Sequence, residues 1–194
     1  MDVPELPTSP KGAATSRRIL DAALQEFAER GIAGARVDRI TAAARTNKAQ
    51  VYGYFGNKDG LFDAVLTDVL ERTATAVHFD ADDLPGWAVA VYDENLNSPH
   101  VVRLLTWARL ERRESGRLEI APDVEPKLAA IARAQNEGRL RAGEPADLLL
   151  LVLGAASAWS PAGGSYAASA DEPATEHTRR RAALHDFIQQ AIAP

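Results

Sequence analysis

The chain has 194 residues, 46% of them hydrophobic, enough to bury a substantial core in one domain or two small ones. It contains no cysteine, which excludes disulfides, thiolate metal sites and a thiol nucleophile and fits a cytoplasmic protein. The net charge is −5, yet residues 11–60 hold nine Lys or Arg against five Asp or Glu, a local +4 that leaves −9 for the rest. A basic segment joined to an acidic body suits a protein that presents one end to phosphates.

Pro4, Pro7 and Pro10 stand among Asp2 and Glu5 at the start, without the basic and apolar stretches of a secretion signal, so residues 1–14 are expected to be a disordered arm. From there apolar residues recur at helical spacing and nothing alternates at period two. The first predicted helix starts near Ser16, carries Ile19, Leu20, Ala23, Leu24 and Phe27 on one stripe, and stops at Gly31. The second offers Val37, Ile40, Ala43 and Ala44 before an interruption at Arg45-Thr46. Asn47 caps the third, Val51 and Phe55 form its buried edge, and Gly56 ends it. Asn57 then caps a long fourth helix bearing Leu61, Phe62, Val65, Leu66, Val69 and Leu70.

Asp80 to Gly86 reads as a connector, and five more helices are expected over Trp87–Leu96, Pro99–Ser115, Asp123–Glu137, Pro145–Ser160 and Pro173–Ile192. The most apolar stretch, 148–159, falls short of the roughly 20 residues needed to cross a bilayer, so it is read as a buried helix and no membrane partner is expected. The predicted fold is all-α with about nine helices. Residues 15–60 are expected to make a three-helix N-terminal domain, and 61–194 a second helical domain.

The segment Val37 to Phe62, VDRITAAARTNKAQVYGYFGNKDGLF, places two short helices around a tight turn and follows them with a capped long helix. In order, spacing and residue type it resembles the DNA-binding segment of the TetR family, through Ile40, Ala43-Ala44, Asn47-Lys48, Val51-Tyr52-Gly53-Tyr54-Phe55 and Asn57-Lys58. The resemblance covers about the first 70 residues. Three positions depart from it. Arg45 stands where the family has a turn glycine, at a cost of about 1 kcal/mol if its backbone is left-handed. Ala35-Arg36 replaces a capping threonine that contributes about 1 kcal/mol, with Asp38 offsetting part of that loss. Gln50 replaces a small hydroxyl residue, so the resemblance does not carry a base preference over to this chain.

Elementary geometry supports the same reading. In a helix-turn-helix the second helix enters the major groove and its N-terminal residues meet base edges. With Val51 and Phe55 buried, Lys48, Ala49, Gln50, Tyr52, Gly53 and Tyr54 occupy the other faces of the third helix. The Gln50 amide can pair with adenine, while Lys48, the two tyrosyl hydroxyls and the N-terminal arginines suit phosphates. Ala49 and Gly53 permit close approach. Arg45 is assigned a phosphate, and Lys58 adds a cation at a helix N-terminus whose free N–H groups already favour phosphate.

For the C-terminal half, the resemblance implies dimerisation and a small-molecule effector site. The two long final helices carry Leu148 to Leu153, Ala155, Ala156 and Trp159, then Ala182, Leu184, Phe187, Ile188 and Ile192, more apolar surface than one small domain needs, which fits a four-helix interface between two copies. Ligand-contact candidates are Trp87, Tyr92, His100, Arg103, Trp107 and Trp159, with Arg103 and Trp107 favoured as a cation one turn from an aromatic wall. His78, His100, His177 and His185 show no metal-ligand pairing, and neither a phosphate-binding glycine loop nor a nucleophile elbow is present, so an enzyme is not expected and no cofactor is called for. The rival class is a helical adaptor or small-molecule-binding protein that never touches DNA; salt-sensitive DNA binding separates the two. The expected partners are therefore double-stranded operator DNA, a second copy of the chain and a small effector.

Overall fold

The computed structural model describes residues 9–112 and 124–194. Within them lie nine helices and no strand: α1 Pro10–Gly34, α2 Val37–Ala44, α3 Lys48–Phe55, α4 Lys58–Ala76, α5 Leu84–Asn97, α6 Pro99–Arg112, α7 Val124–Asn136, α8 Pro145–Ala156 and α9 Ala174–Ile192. The expected tail of α6 beyond Arg112 falls outside the described residues. Two compact units result, one from the described parts of Met1–Glu71 and Arg103–Ile120, the other from those of Arg72–Val102 and Ala121–Pro194.

In the first unit α1 begins at Pro10 rather than near Ser16. The Ser9 side chain accepts from the Gly12 N–H at 3.2 Å, and Pro10 takes a first-turn position where its missing N–H costs nothing. Residues 10–14 are therefore helical instead of a disordered arm; residues 1–8 lie outside the described part. At the other end Gly31 adopts φ 69° and ψ 178° and breaks the helix. Glycine is required there twice over, by the positive φ and because a Cβ would sit 2.3 Å from Glu111 Oε1 and 3.0 Å from the Trp107 ring. Residues of α6 satisfy the backbone groups that the break frees. Glu111 accepts from the N–H groups of Ile32 and Ala33 at 3.1 and 2.8 Å, and Arg103 Nε donates to the Ala28 carbonyl at 2.9 Å.

The core of this unit joins Ile19, Ala23 and Phe27 of α1 to Ile40 of α2, Val51 and Phe55 of α3, and Leu61, Phe62 and Val65 of α4. Burial of each large side chain contributes roughly 1.5–3 kcal/mol. Phe62 meets Phe27 edge to face at 5.1 Å, and Arg17 Nη1 reaches Asp68 at 2.6 Å, tying α1 to α4. The apolar face of α4 as far as Val69 is thus buried, and residues 61–71 belong to the first unit, so the division lies beyond the 60/61 boundary read from sequence.

The second unit is built on α5, which packs chiefly against α9 and α8. Its core includes Leu84, Trp87, Tyr92, Ile131, Val152 and Ile188. Asp83 starts α5 by accepting from the Gly86 N–H at 2.8 Å. No helix of the described residues is long and apolar enough to cross a membrane.

Candidate nucleic-acid interface

The turn between α2 and α3 is set by Arg45, the one described non-glycine residue with positive φ, at φ 52° and ψ 52°. Its N–H donates to the Ala42 carbonyl at 3.3 Å and the Thr46 N–H reaches back to Thr41 at 3.0 Å, so the last turn of α2 closes in the manner usually served by glycine. Arg18 Nε also donates to the Ala44 carbonyl at 3.3 Å. The left-handed strain of about 1 kcal/mol expected at Arg45 is present, and its side chain is exposed.

At the start of α2 no side chain of the cap residue Arg36 bonds to the helix. Glu26 of α1 supplies the contact from a distance: it accepts from the Arg36 N–H at 2.9 Å and from Arg39 Nε at 2.7 Å. Burial pushes the Glu26 carboxyl up, but Arg39, the Arg36 N–H and Arg30 outweigh it and hold the group below its ordinary value.

On α3, Asn47 caps the helix by accepting from the Gln50 N–H at 2.9 Å, and Val51 and Phe55 are buried. That orientation leaves Lys48, Ala49, Gln50, Tyr52 and Gly53 exposed and Tyr54 half-buried, with its ring against Phe55 at 6.1 Å. Two of these groups are engaged within the protein. Lys48 Nζ lies 2.7 Å from Asp38 of α2, whose carboxylate raises the lysine above its ordinary value. The Gln50 amide oxygen accepts from the Thr46 hydroxyl. Both contacts are exposed, so exchanging them for phosphate or base costs little desolvation.

Other cations expected on phosphates are committed elsewhere. Arg17 pairs with Asp21 and Asp68, Arg18 serves Ala44 as above, and Lys58 Nζ approaches the carbonyls of Ala33 and Ala35 at 3.4 and 3.5 Å. Lys58 thereby stabilises the α1–α2 junction. Each of these contacts is made to a helix terminus or a carboxylate of its own unit.

The six ligand-contact candidates are divided between the two units. Arg103 and Trp107 face the broken end of α1 in the first unit, where Arg103 closes the Ala28 carbonyl and the Trp107 ring lies against Gly31. In the second unit, Trp87 is buried against Phe79 at 4.9 Å, with Lys127 Nζ 5.7 Å from its ring. Burial and the nearby Arg72 lower the pKa of His100. Tyr92 and Trp159 do meet, edge to face at 5.8 Å, and they border the polar group of His177, Arg180 and Glu172, which sequence reading passed over. Among the described residues no group of three or more His, Cys, Asp or Glu is placed to hold a metal.

Two short helices joined by a closed turn, the second with a buried edge and an exposed polar face, define a helix-turn-helix DNA-binding protein. Residues 19–65 match the bacterial regulatory proteins of the tetR family, and residues 83–190 match the tetracyclin repressor-like C-terminal domain. The chain belongs to the TetR family of transcription regulators. It is 40% identical over 153 residues to the HTH-type transcriptional repressor SCO4008 of Streptomyces coelicolor, covering 76% of this chain and 78% of that one. Identity to the HTH-type transcriptional regulator RutR of Escherichia coli is 27% over 150 residues, 72% of this chain and 71% of RutR. Among solved structures, the Streptomyces coelicolor protein SCO4942 superposes with a TM-score of 0.77 at 36% identity, over 92% of this chain and 98% of that one.

Proposed function

We propose that this protein is a repressor that binds a pseudo-palindromic operator as a homodimer in the cytoplasm, releases it in response to a small molecule, and acts by binding rather than by catalysis. The observation that carries the reading is the outer face of α3, where Lys48, Gln50, Tyr52 and Gly53 stand exposed on a helix whose other edge is locked by Val51 and Phe55. Among the described residues of its own unit, the exchangeable contacts of Lys48 and Gln50 are the polar ones recorded for this face. One short recognition helix reads too few base pairs for useful specificity, which is the physical reason for two copies on a two-fold site. Repression is favoured by the name of the relative SCO4008.

Leu150 and Leu151 of α8 and Phe187 of α9 are 60%, 71% and 62% exposed, and together they make the apolar surface through which two copies would meet. An effector alters operator affinity only by preferring one of two arrangements of the dimer, and a preference of about 2–3 kcal/mol shifts affinity on the order of 30- to 150-fold.

Selection of bound DNA from a random pool tests the reading. A two-fold symmetric sequence is expected, bound with an affinity that falls steeply between low and physiological salt. Lys48→Ala should weaken every sequence alike. Gln50→Ala should relax preference at one base pair by about 1–3 kcal/mol. An unchanged selected sequence after Gln50→Ala would remove Gln50 from base reading, and salt-independent affinity would remove the phosphate assignments.

A further inference from the structure

The second unit buries a polar cluster that neither its apolar core nor the DNA face explains. Arg180 and His177, one turn apart on α9, are 4% and 6% exposed. The Tyr92 hydroxyl of α5 lies 2.8 Å from His177 Nδ1. With the phenol donating there, the imidazole carries its proton on Nε2, and that Nε2 is buried without a hydrogen-bond partner among the described residues. Arg180 is similar: its Nη2 donates to Glu172 Oε2 at 2.6 Å, while Nε and Nη1, in the neighbourhood of the Tyr92 and Tyr166 hydroxyls, are buried without a hydrogen bond of ordinary geometry among the described residues. Orphaned buried donors are rare in folded proteins. All three positions here donate, so the group that would complete them is an acceptor-rich anion.

The connection between α8 and α9 covers this cluster. It folds back through the Ala168 N–H, which donates to the Trp159 carbonyl at 2.7 Å, and it lays the Tyr166 ring 5.1 Å from the Arg180 guanidinium. Glu172 at its end accepts from the Tyr166 hydroxyl at 3.0 Å and the Ser169 N–H at 2.9 Å, so one carboxylate pins both the loop and Arg180. That carboxylate uses a single guanidinium nitrogen, whereas a planar carboxylate approaching side-on takes Nε and Nη2 together. Its side chain is also more exposed than that of Arg180, 19% against 5%, so it returns to water more readily. Beside the cluster, the gap bounded by Tyr92, Asn95, Leu96, Trp159, Ser160 and Ala168 has no room for a water molecule. Entry therefore requires the loop of residues 161–172 to move.

We propose that Arg180, His177 and Tyr92 form a binding site for a small aromatic carboxylate, which displaces Glu172 from Arg180 and sets its ring among Tyr92, Leu96 and Trp159. As the chemical class of the effector, this rests on the ligand-responsive reading above; as a binding site, it stands without it. Displacing Glu172 frees the carboxylate that holds residues 161–172 in place, so occupancy and loop position are coupled.

The full-length protein is titrated with benzoate, with neutral benzamide and inorganic phosphate as controls at constant ionic strength, and followed by thermal unfolding and calorimetry. Benzoate is expected to raise the Tm saturably and the controls to leave it unchanged. Glu172→Gln, which removes the competing carboxylate, should tighten benzoate binding about five-fold or more, and Arg180→Lys should abolish it. Should Arg180→Lys fail to fold, His177→Phe is the second variant and should weaken binding while unfolding cooperatively. Equal responses to benzoate, benzamide and phosphate would overturn the site, as would no gain from Glu172→Gln. Operator release is measured separately by fluorescence anisotropy. Site-dependent benzoate binding that leaves the DNA complex intact supports the site and refutes ligand responsiveness to this class.

Discussion

Gly53 occupies the exposed side of a two-turn helix, and a Cβ built there would meet nothing within 4 Å. Alanine would fit the fold and favour the helix by about 1 kcal/mol, so the glycine weakens its own element. The proposed close approach of the α3 backbone to DNA would account for that loss. Gly53→Ala is therefore expected to stabilise the protein by about 0.5–1 kcal/mol in urea denaturation while lowering operator affinity in an anisotropy titration. A stabilised variant with unaltered affinity would separate Gly53 from the interface. The neighbouring Lys48 illustrates a different residue-scale point. Its pairing with Asp38 is exposed on both sides, 52% and 72%, so the ion pair contributes little to stability and holds the ammonium beside the face where phosphate is assigned.

At the scale of elements, α2 is the helix least able to stand alone. It has eight residues, no side-chain cap and a strained left-handed end at Arg45. What α2 lacks, other elements supply: Glu26 of α1 at its start and Arg18 of α1 at its end. Because the folded-state pKa of Glu26 lies below its ordinary value of 4.5, its contribution is present above that value and is lost as pH falls through the depressed one. Glu26→Gln should thus destabilise by about 1–3 kcal/mol at neutral pH, and the gap from wild type should close in acid. Urea denaturation across pH measures this. A gap independent of pH would show that packing, not charge, is what the substitution removes. Glu172 has the same sign: Arg180 and the Ser169 N–H bring it down to about 2, so the loop it pins is expected to loosen only well below the ordinary carboxylate range.

For the molecule as a whole, the apolar residues that face outward matter most. Leu150, Leu151 and Phe187 are more than half exposed on α8 and α9, whereas the buried faces of the same helices, with Leu149, Val152, Leu184 and Ile188, already complete the core of the second unit. Two populations of apolar residues on one helix pair call for two partners. Sedimentation is expected to show a dimer at micromolar concentration. Leu151→Glu should yield a monomer of unchanged helical content whose operator affinity drops by orders of magnitude, because half-sites are no longer joined. A dimeric Leu151→Glu protein would place the contact elsewhere.

The helices, the turn at Arg45-Thr46 and the exposed face of α3 were legible in the sequence because they depend on signals a few residues apart: apolar spacing, the Asn47 cap, and the buried Val51–Phe55 pair. The family resemblance lay in the same local run. Other features depend on residues distant along the chain. Glu26 and Arg36 are ten apart, Glu111 and Ile32 seventy-nine, and Tyr92 and His177 eighty-five. Local periodicity carries no information about such pairs, so the contacts of Arg103 with Ala28 and of Trp107 with Gly31 were not legible. The start of α1 was missed for a different reason: the prolines before it resemble a linker, and Pro10 is compatible with a helix because it stands in the first turn, where its missing N–H costs nothing. By itself the sequence determined the helical class and the reading helix, since both follow from short-range periodicity and capping. Only the tertiary structure decided which charges remain available to a ligand and which are consumed at helix ends, because that depends on which distant helix terminus or carboxylate comes within hydrogen-bonding distance.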